Sequence, residues 1–229
     1  MAQIVRFLRR DETPGATKIC KFNVHALALR KVDRLCVHHV FFLGKGAILM
    51  VAQIALFRAL NVGAANRIAM KDLAGVFEEI GLGPARSLQA AGSFVFAGHG
   101  AAAEIEVALE TQLLVSFGIR TTAFVRSQAD WLLGLAGNPF AEAAQVAPDR
   151  LMLLTLKSGP ATAANDALSA AARDGELCHV GASFAYVFYP LGAGRSRLTP
   201  KTIDRCLGAP STARNWNSAR KLAEMAEVS

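Results

Sequence analysis

Three short stretches carry polar side chains that helical or strand periodicity does not explain. The first is Arg58-Ala59-Leu60-Asn61-Val62-Gly63, with Asn66 close behind. An arginine inside an otherwise apolar strand is costly unless its guanidinium meets an anion or a set of carbonyls. A salt bridge to an acid on a neighbouring strand would serve equally well. The second is Gly192-Ala193-Gly194-Arg195-Ser196-Arg197, just before Thr199-Pro200. Its small residues let consecutive backbone N–H groups converge, and two arginines and a serine add donors beside a helix N-terminus, the makings of an anion nest. A basic surface loop is the alternative. The third is Arg214-Asn215-Trp216-Asn217, entering the last helix. Asparagines are poor helix interior but suit ligand contact or loop pinning. The alternative has them pinning the preceding loop while Trp216 packs in the core.

The inventory for acid–base or nucleophilic chemistry is thin. His99 lies in the turn Gly98-His99-Gly100 and reads as solvent-exposed, Glu78-Glu79 as the polar side of a helix, and Cys206 as core. Cys178 and His179 are adjacent in a strand, so they point to opposite faces and cannot act as a nucleophile–base pair. No cofactor fingerprint or paired metal-ligand spacing appears. The set Cys20, Cys36, His38, His39 lacks the short double spacings of a zinc site. Four cysteines without a CxxC in 229 residues are thiols of a reducing compartment, not a disulfide framework.

The formal charge of +7 invites a nucleic-acid reading, so its placement matters. Residues 1–49 hold nine Lys/Arg against three acids, whereas residues 50–229 hold sixteen against fifteen. The basic character therefore belongs to an N-terminal stretch that shows no sustained period, and a start at Met50 with residues 1–49 as a mis-called extension is the expectation. A basic tail for nucleic acid or an acidic surface is the alternative. The apolar run Gly46–Phe57 is 12 residues long between Lys45 and Arg58. A membrane span needs about 20, so a buried strand in a soluble, cytoplasmic protein is expected.

With 52% apolar and 19% charged residues, the chain can bury a core. Ile54–Leu60 reads as a strand ending in the turn Asn61-Val62-Gly63. Met70, Leu73, Val76, Phe77 and Ile80 share a helical face that Gly81 closes. Ser87–Ala97 reads as two strands about Gly92. A helix through Ile105, Leu109, Leu113 and Phe117 ends at Gly118, and Ile119–Arg126 is a strand. Ser127 with Asp130 starts a further helix that stops at Asn138-Pro139-Phe140. After the loop Ala141–Asp149 the pattern begins again: strand Leu151–Leu156, helix Ala161–Arg173, hairpin Glu176–Val180 with Phe184–Tyr189, helix from Thr199 to Gly208, and a last helix Thr212–Ala226. The expected fold is α+β, with two ferredoxin-like halves (the β-α-β-β-α-β plait) at 50–140 and 141–229, the second incomplete, plus a C-terminal helix.

Over residues 50–229 the chain resembles the domain of unknown function 1697 family. The family's Arg-Gly-Ile-Asn-Val-Gly stands here as Arg58–Gly63, its Asn-Pro-Phe as Asn138–Phe140, its Gly-x-Gly-Arg-Ser-Lys-Leu as Gly192–Leu198 with Arg197 for lysine, and its Arg-Asn-Trp-Asn as Arg214–Asn217. Two departures stand out. Ala59 replaces glycine, and the family's Ser-Gly-Asn-Val-Val-Phe is Ala91-Gly92-Ser93-Phe94-Val95-Phe96. The resemblance implies an α+β architecture with plait-like repeats and supplies no activity.

Three functions fit these residues. The first is binding of a small anionic, phosphorylated ligand in a cleft between the halves, where the three stretches would have to converge. The second is single-stranded nucleic-acid binding, with Phe94 and Phe96 stacking bases on a helix-free sheet face, although the same two rings read more simply as core. The near-neutral balance of residues 50–229 weighs against it. The third is an arginine-dependent phosphate-handling enzyme. A plain interaction module has no positive signal.

Overall fold

Local signals fix one end or both of several helices as the sequence implies. The computed structural model describes residues 50–60, 67–88 and 92–228. The stretch 1–49, with its zinc-like set and the choice of start, lies outside them, as do Asn61, Gly63, Asn66 and Ala91. The elements are β1 (Val51–Phe57), α1 (Met70–Glu79), β2 (Ala85–Ser87), β3 (Ser93–Gly98), α2 (Ala102–Phe117), β4 (Ala123–Ser127), α3 (Gln128–Ala136) and α4 (Ala141–Val146). They continue with β5 (Leu151–Leu156), α5 (Ala164–Ala171), β6 (Leu177–Val180), β7 (Phe184–Phe188), α6 (Pro200–Leu207), β8 (Ser211–Asn215) and α7 (Trp216–Glu227). Gly118 closes α2 at φ +65°, a left-handed conformation that favours glycine. The Ser127 hydroxyl accepts from the Asp130 N–H at 3.1 Å, and Thr199 caps α6 with Pro200 in its first turn.

The strands form two four-stranded antiparallel sheets, ordered β2-β3-β1-β4 and β6-β7-β5-β8. The second half is therefore complete. The expected helix from Thr212 begins only at Trp216, and Ser211–Asn215 instead pairs with β5, from Met152↔Asn215 to Leu156↔Ser211. The expected loop Ala141–Asp149 holds the short α4.

Helices α1 and α2 cover one face of the first sheet, around Phe57, Phe77, Phe94 and Phe96. Helices α5 and α6 cover one face of the second, around Leu154, Leu156 and Val187. The remaining faces share a third core, in which Ile54, Leu56, Val95 and Phe124 of the first sheet join Leu151, Leu153, Phe184 and Tyr186 of the second. Trp131 of α3 and Trp216, Ala219 and Leu222 of α7 fill that layer.

Each of these two helices reaches the sheet it does not belong to. The Tyr186 hydroxyl of β7 donates to the Gly134 carbonyl of α3 at 2.6 Å, and Trp131 stands edge-on to Phe184 with centroids 5.9 Å apart. A Cβ at Gly134 would lie 2.9 Å from the Phe184 ring, so glycine sets this approach. Conversely, Arg86 of β2 donates to the Met225 carbonyl of α7 at 2.5 Å. The Trp131 indole N–H joins the helices by donating to the Ala219 carbonyl at 2.9 Å. Among the described residues no helix is long and apolar enough to cross a membrane.

Among the described residues, one buried hydroxyl in the second sheet, Thr155 Oγ1, has no hydrogen-bond partner. Its counterpart by register is the apolar Leu56, since Leu56 faces Phe124 as Thr155 faces Thr212. An unmade buried hydrogen bond costs about 1–3 kcal/mol. Thr155→Val is therefore expected to raise the urea midpoint by a stabilisation of about 1 kcal/mol. A lower midpoint would show that the hydroxyl is engaged.

Candidate functional site

The registers of β1 with β4 and of β5 with β8 relate the two halves residue by residue. Phe57 corresponds to Leu156, Ala123 to Ser211 and Arg126 to Arg214, which makes Arg58 the counterpart of Lys157. At the seam, contacts run in both directions. Arg214 on β8 donates through Nη2 to the Phe57 carbonyl at the end of β1, 3.1 Å away. Arg126 on β4 donates through Nη2 to the Leu156 carbonyl at the end of β5.

The charged residues that follow β1 and β5 cross over in the same way. Arg58 Nη1 donates to Asp204 Oδ2 of α6 at 2.5 Å. Lys157 Nζ meets Glu110 at 2.7 Å and Glu106 at 2.8 Å, both on α2, and donates to the Ala123 carbonyl at 2.7 Å. Asp204 Oδ1 accepts from the Ser211 N–H at 2.9 Å, as Glu110 Oε1 does from the Ala123 N–H at 2.9 Å. Each carboxylate thus closes the edge of its own final strand while it holds the opposite half. Glu106, Glu110, Arg126 and Lys157 were not singled out from the sequence. The available signals were Glu106 beside the buried positions of α2 and a lysine directly after an apolar strand.

Arg214 is occupied by protein. Its Nε donates to Ser93 Oγ at 2.6 Å, Nη1 to Thr212 Oγ1 at 3.1 Å and the Ala213 carbonyl at 2.8 Å, and its second Nη2 bond goes to the Gly92 carbonyl at 3.2 Å. Together with the bond to Phe57 these use the five N–H groups of a guanidinium. Burial pushes its pKa down to about 10. Ser93, one of the departures from the family pattern, is the acceptor for Nε. Ala59 holds the left-handed conformation at φ +54°, where the family has glycine. Asn215 caps α7, its Oδ1 accepting from the Ser218 N–H at 2.9 Å, Trp216 is buried, and Asn217 is exposed.

The stretch 192–197 is held by a different group. The Ser196 hydroxyl donates to Glu176 Oε1, and Arg197 Nη2 donates to Asp174 Oδ1 at 2.7 Å. Those bonds from Arg197 hold the Asp174 carboxyl below its ordinary range. For Glu176, burial raises the pKa, but donation from Ser196 and the Asp174 N–H outweighs it and the net shift is downward. Gly192 takes φ +85° before a single 3-10 turn at Ala193–Arg195, and Arg195 is exposed. With Asp174, Tyr189 and Pro190, Gly192 and Ser196 of this loop line a shallow surface depression. Among the described residues no hydrogen bond or ion pair joins the stretch to Arg58 or Arg214. The described contacts set Arg214 of the third stretch against Phe57, the residue before the first, and leave the second apart.

Phe94 and Phe96 are buried under α1 and α2, and the opposite face of that sheet is covered as well. Both rings complete a core, as the core reading of Phe94 and Phe96 has it, and neither is open for base stacking. Burial pushes the Cys178 thiol up to about 11, helped by Glu176 and Cys206, which removes thiolate character. Among the described residues no group of three or more His, Cys, Asp or Glu could hold a metal ion.

Removing one partner from a buried charged network costs about 3–5 kcal/mol, whereas exposed substitutions stay within about 0.5 kcal/mol. Arg214→Met and Arg126→Met are each expected to lower unfolding free energy by about 3 kcal/mol in urea titrations. Arg195→Ala should leave it unchanged. Equal effects at all three positions would contradict this assignment of structural roles.

Among solved structures, the conserved bacterial protein SP0830 from Streptococcus pneumoniae is similar in fold, with a TM-score of 0.61 at 20% identity, over 77% of this chain and 99% of that one. No curated protein matches significantly. The profile of the family described as "Protein of unknown function (DUF1697)" matches residues 50–186. Two antiparallel sheets with their flanking helices, the Arg58 and Asn138-Pro139-Phe140 motifs and this match agree: the chain belongs to the DUF1697 family.

Proposed function

We propose that this protein binds a small anionic ligand, of phosphate or carboxylate type, at the seam between the halves 50–140 and 141–229, at the end of β1 where Arg58 lies. The observation that carries the reading is an imbalance between the two ends of the seam. Lys157 is met by two glutamates, whereas among the described residues its counterpart Arg58 forms an ion pair with one acid, Asp204. The helix position one turn before Asp204 is Pro200, where α2 carries Glu106 ahead of Glu110. A guanidinium with one N–H committed to a carboxylate retains donors for the flat face of a second anion.

Arg214, which donates to the carbonyl of Phe57 next to Arg58, adds positive potential without spending further donors, and acts as a positioning residue. Arg195 is the weaker candidate. Its neighbours Asp174 and Glu176 carry negative charge that repels an anion at the 192–197 loop. A phosphate-handling reaction would need an acid–base group at the Arg58 end, and Asp204 is already engaged by Arg58 and Ser211.

The test is thermal denaturation with orthophosphate, pyrophosphate, a nucleoside monophosphate and citrate. A ligand at 100 times its dissociation constant stabilises by about 2.7 kcal/mol, or roughly 5–10 °C for a chain of this size. The expected result is a shift with one of these anions, lost in Arg58→Gln and kept in Arg195→Ala. A shift that survives Arg58→Gln, or no shift with any anion, rejects the Arg58 site.

A further inference from the structure

The outer faces of α2 and α6, related by the internal repeat, differ in kind. On α6 the exposed positions include Lys201 and Arg205. On α2 the exposed stripe runs Glu104, Val107, Thr111, Leu114 and Val115, spaced so that all lie on one side of the helix. Val107 is 62% exposed, Leu114 37% and Val115 73%. The opposite side of α2, with Ile105, Leu109 and Leu113, is buried in the first core. A helix apolar on both sides ordinarily has a partner on both. The 16 residues of α2 make this stripe about 24 Å long.

We propose that the outer face of α2 is a self-association surface, on which a second copy of this chain packs its own α2 antiparallel across a twofold axis near Thr111. An isologous contact needs a surface that complements itself, and this stripe does. Antiparallel pairing about Thr111 sets Val107 of one copy against Val115 of the other. It also brings Glu104, at the start of the helix, opposite Arg120, two residues past Gly118 at its end. Both are exposed, so each copy supplies one half of two identical charge pairs. The apolar centre gives the drive and the charged ends give the direction, because parallel pairing would set Glu104 against Glu104. A single helix face is a small interface, so the dimer is of the weak, reversible class.

Sedimentation velocity of the full chain over a wide concentration range tests this. The expected result is a monomer that becomes a dimer as concentration rises, with the dimer lost in Val115→Lys. Arg120→Glu and Glu104→Lys should each weaken the dimer, and the double variant should restore it. Glu104 also accepts from the Ala101 N–H at the helix start, so Arg120→Glu is the cleaner single change. A chain that stays monomeric throughout overturns the proposal, whatever else covers this face. A dimer indifferent to Val115→Lys, or charge reversals without mutual rescue, overturns it equally.

Discussion

Two half-buried guanidiniums tie the halves of this fold by reaching out of their own sheets. Arg126 and Arg214 precede the capped starts of α3 and α7, and each donates to the last carbonyl of the other half's first strand. A strand end buried at a seam leaves a carbonyl that must find a donor, and a charged fork satisfies several acceptors at once. With those carbonyls satisfied, α3 and α7 can lie side by side in the shared core, each in contact with both sheets. Loss of either arginine would strand acceptors in a region with little access to water, and that makes these residues structural anchors even though their type suggests ligand chemistry.

The repeat is regular in geometry and irregular in charge. Lys157 with Glu106, Glu110 and Arg126 forms a closed, balanced network. The corresponding corner has Arg58, Asp204 and Arg214, with Pro200 where the second acid would stand. Proline suits the first turn of α6, because its missing N–H would be unsatisfied there anyway. The same substitution removes a carboxylate from the seam. An architecture that repeats lets function be sought in the places where the repeats disagree.

Much of the fold was legible because its signals are local. Gly118, the Ser127–Asp130 pair and Thr199-Pro200 fix helix ends through neighbours only a few residues away. Strand β8 was not legible. Ser211-Thr212-Ala213-Arg214-Asn215 has a single β-branched residue, and its conformation depends on pairing with β5 and on the distant carboxylate of Asp204. The site divides in the same way. Arg58 and Arg214 stood out as polar groups in apolar surroundings, but their partners lie 146 and 121 residues away. Nothing in local spacing could show that Ser196 and Arg197 turn toward Glu176 and Asp174.

The exchanged arginines and the helices between them make the two sheets one cooperative unit. Native-state hydrogen exchange measured residue by residue on β1 and β5 tests it most directly. Central amides of both strands are expected to exchange through the same global opening, with one free energy and one denaturant dependence. If β5 amides exchanged through a distinctly cheaper opening while β1 stayed protected, the sheets would open separately, and the reciprocal seam would not be what holds them together.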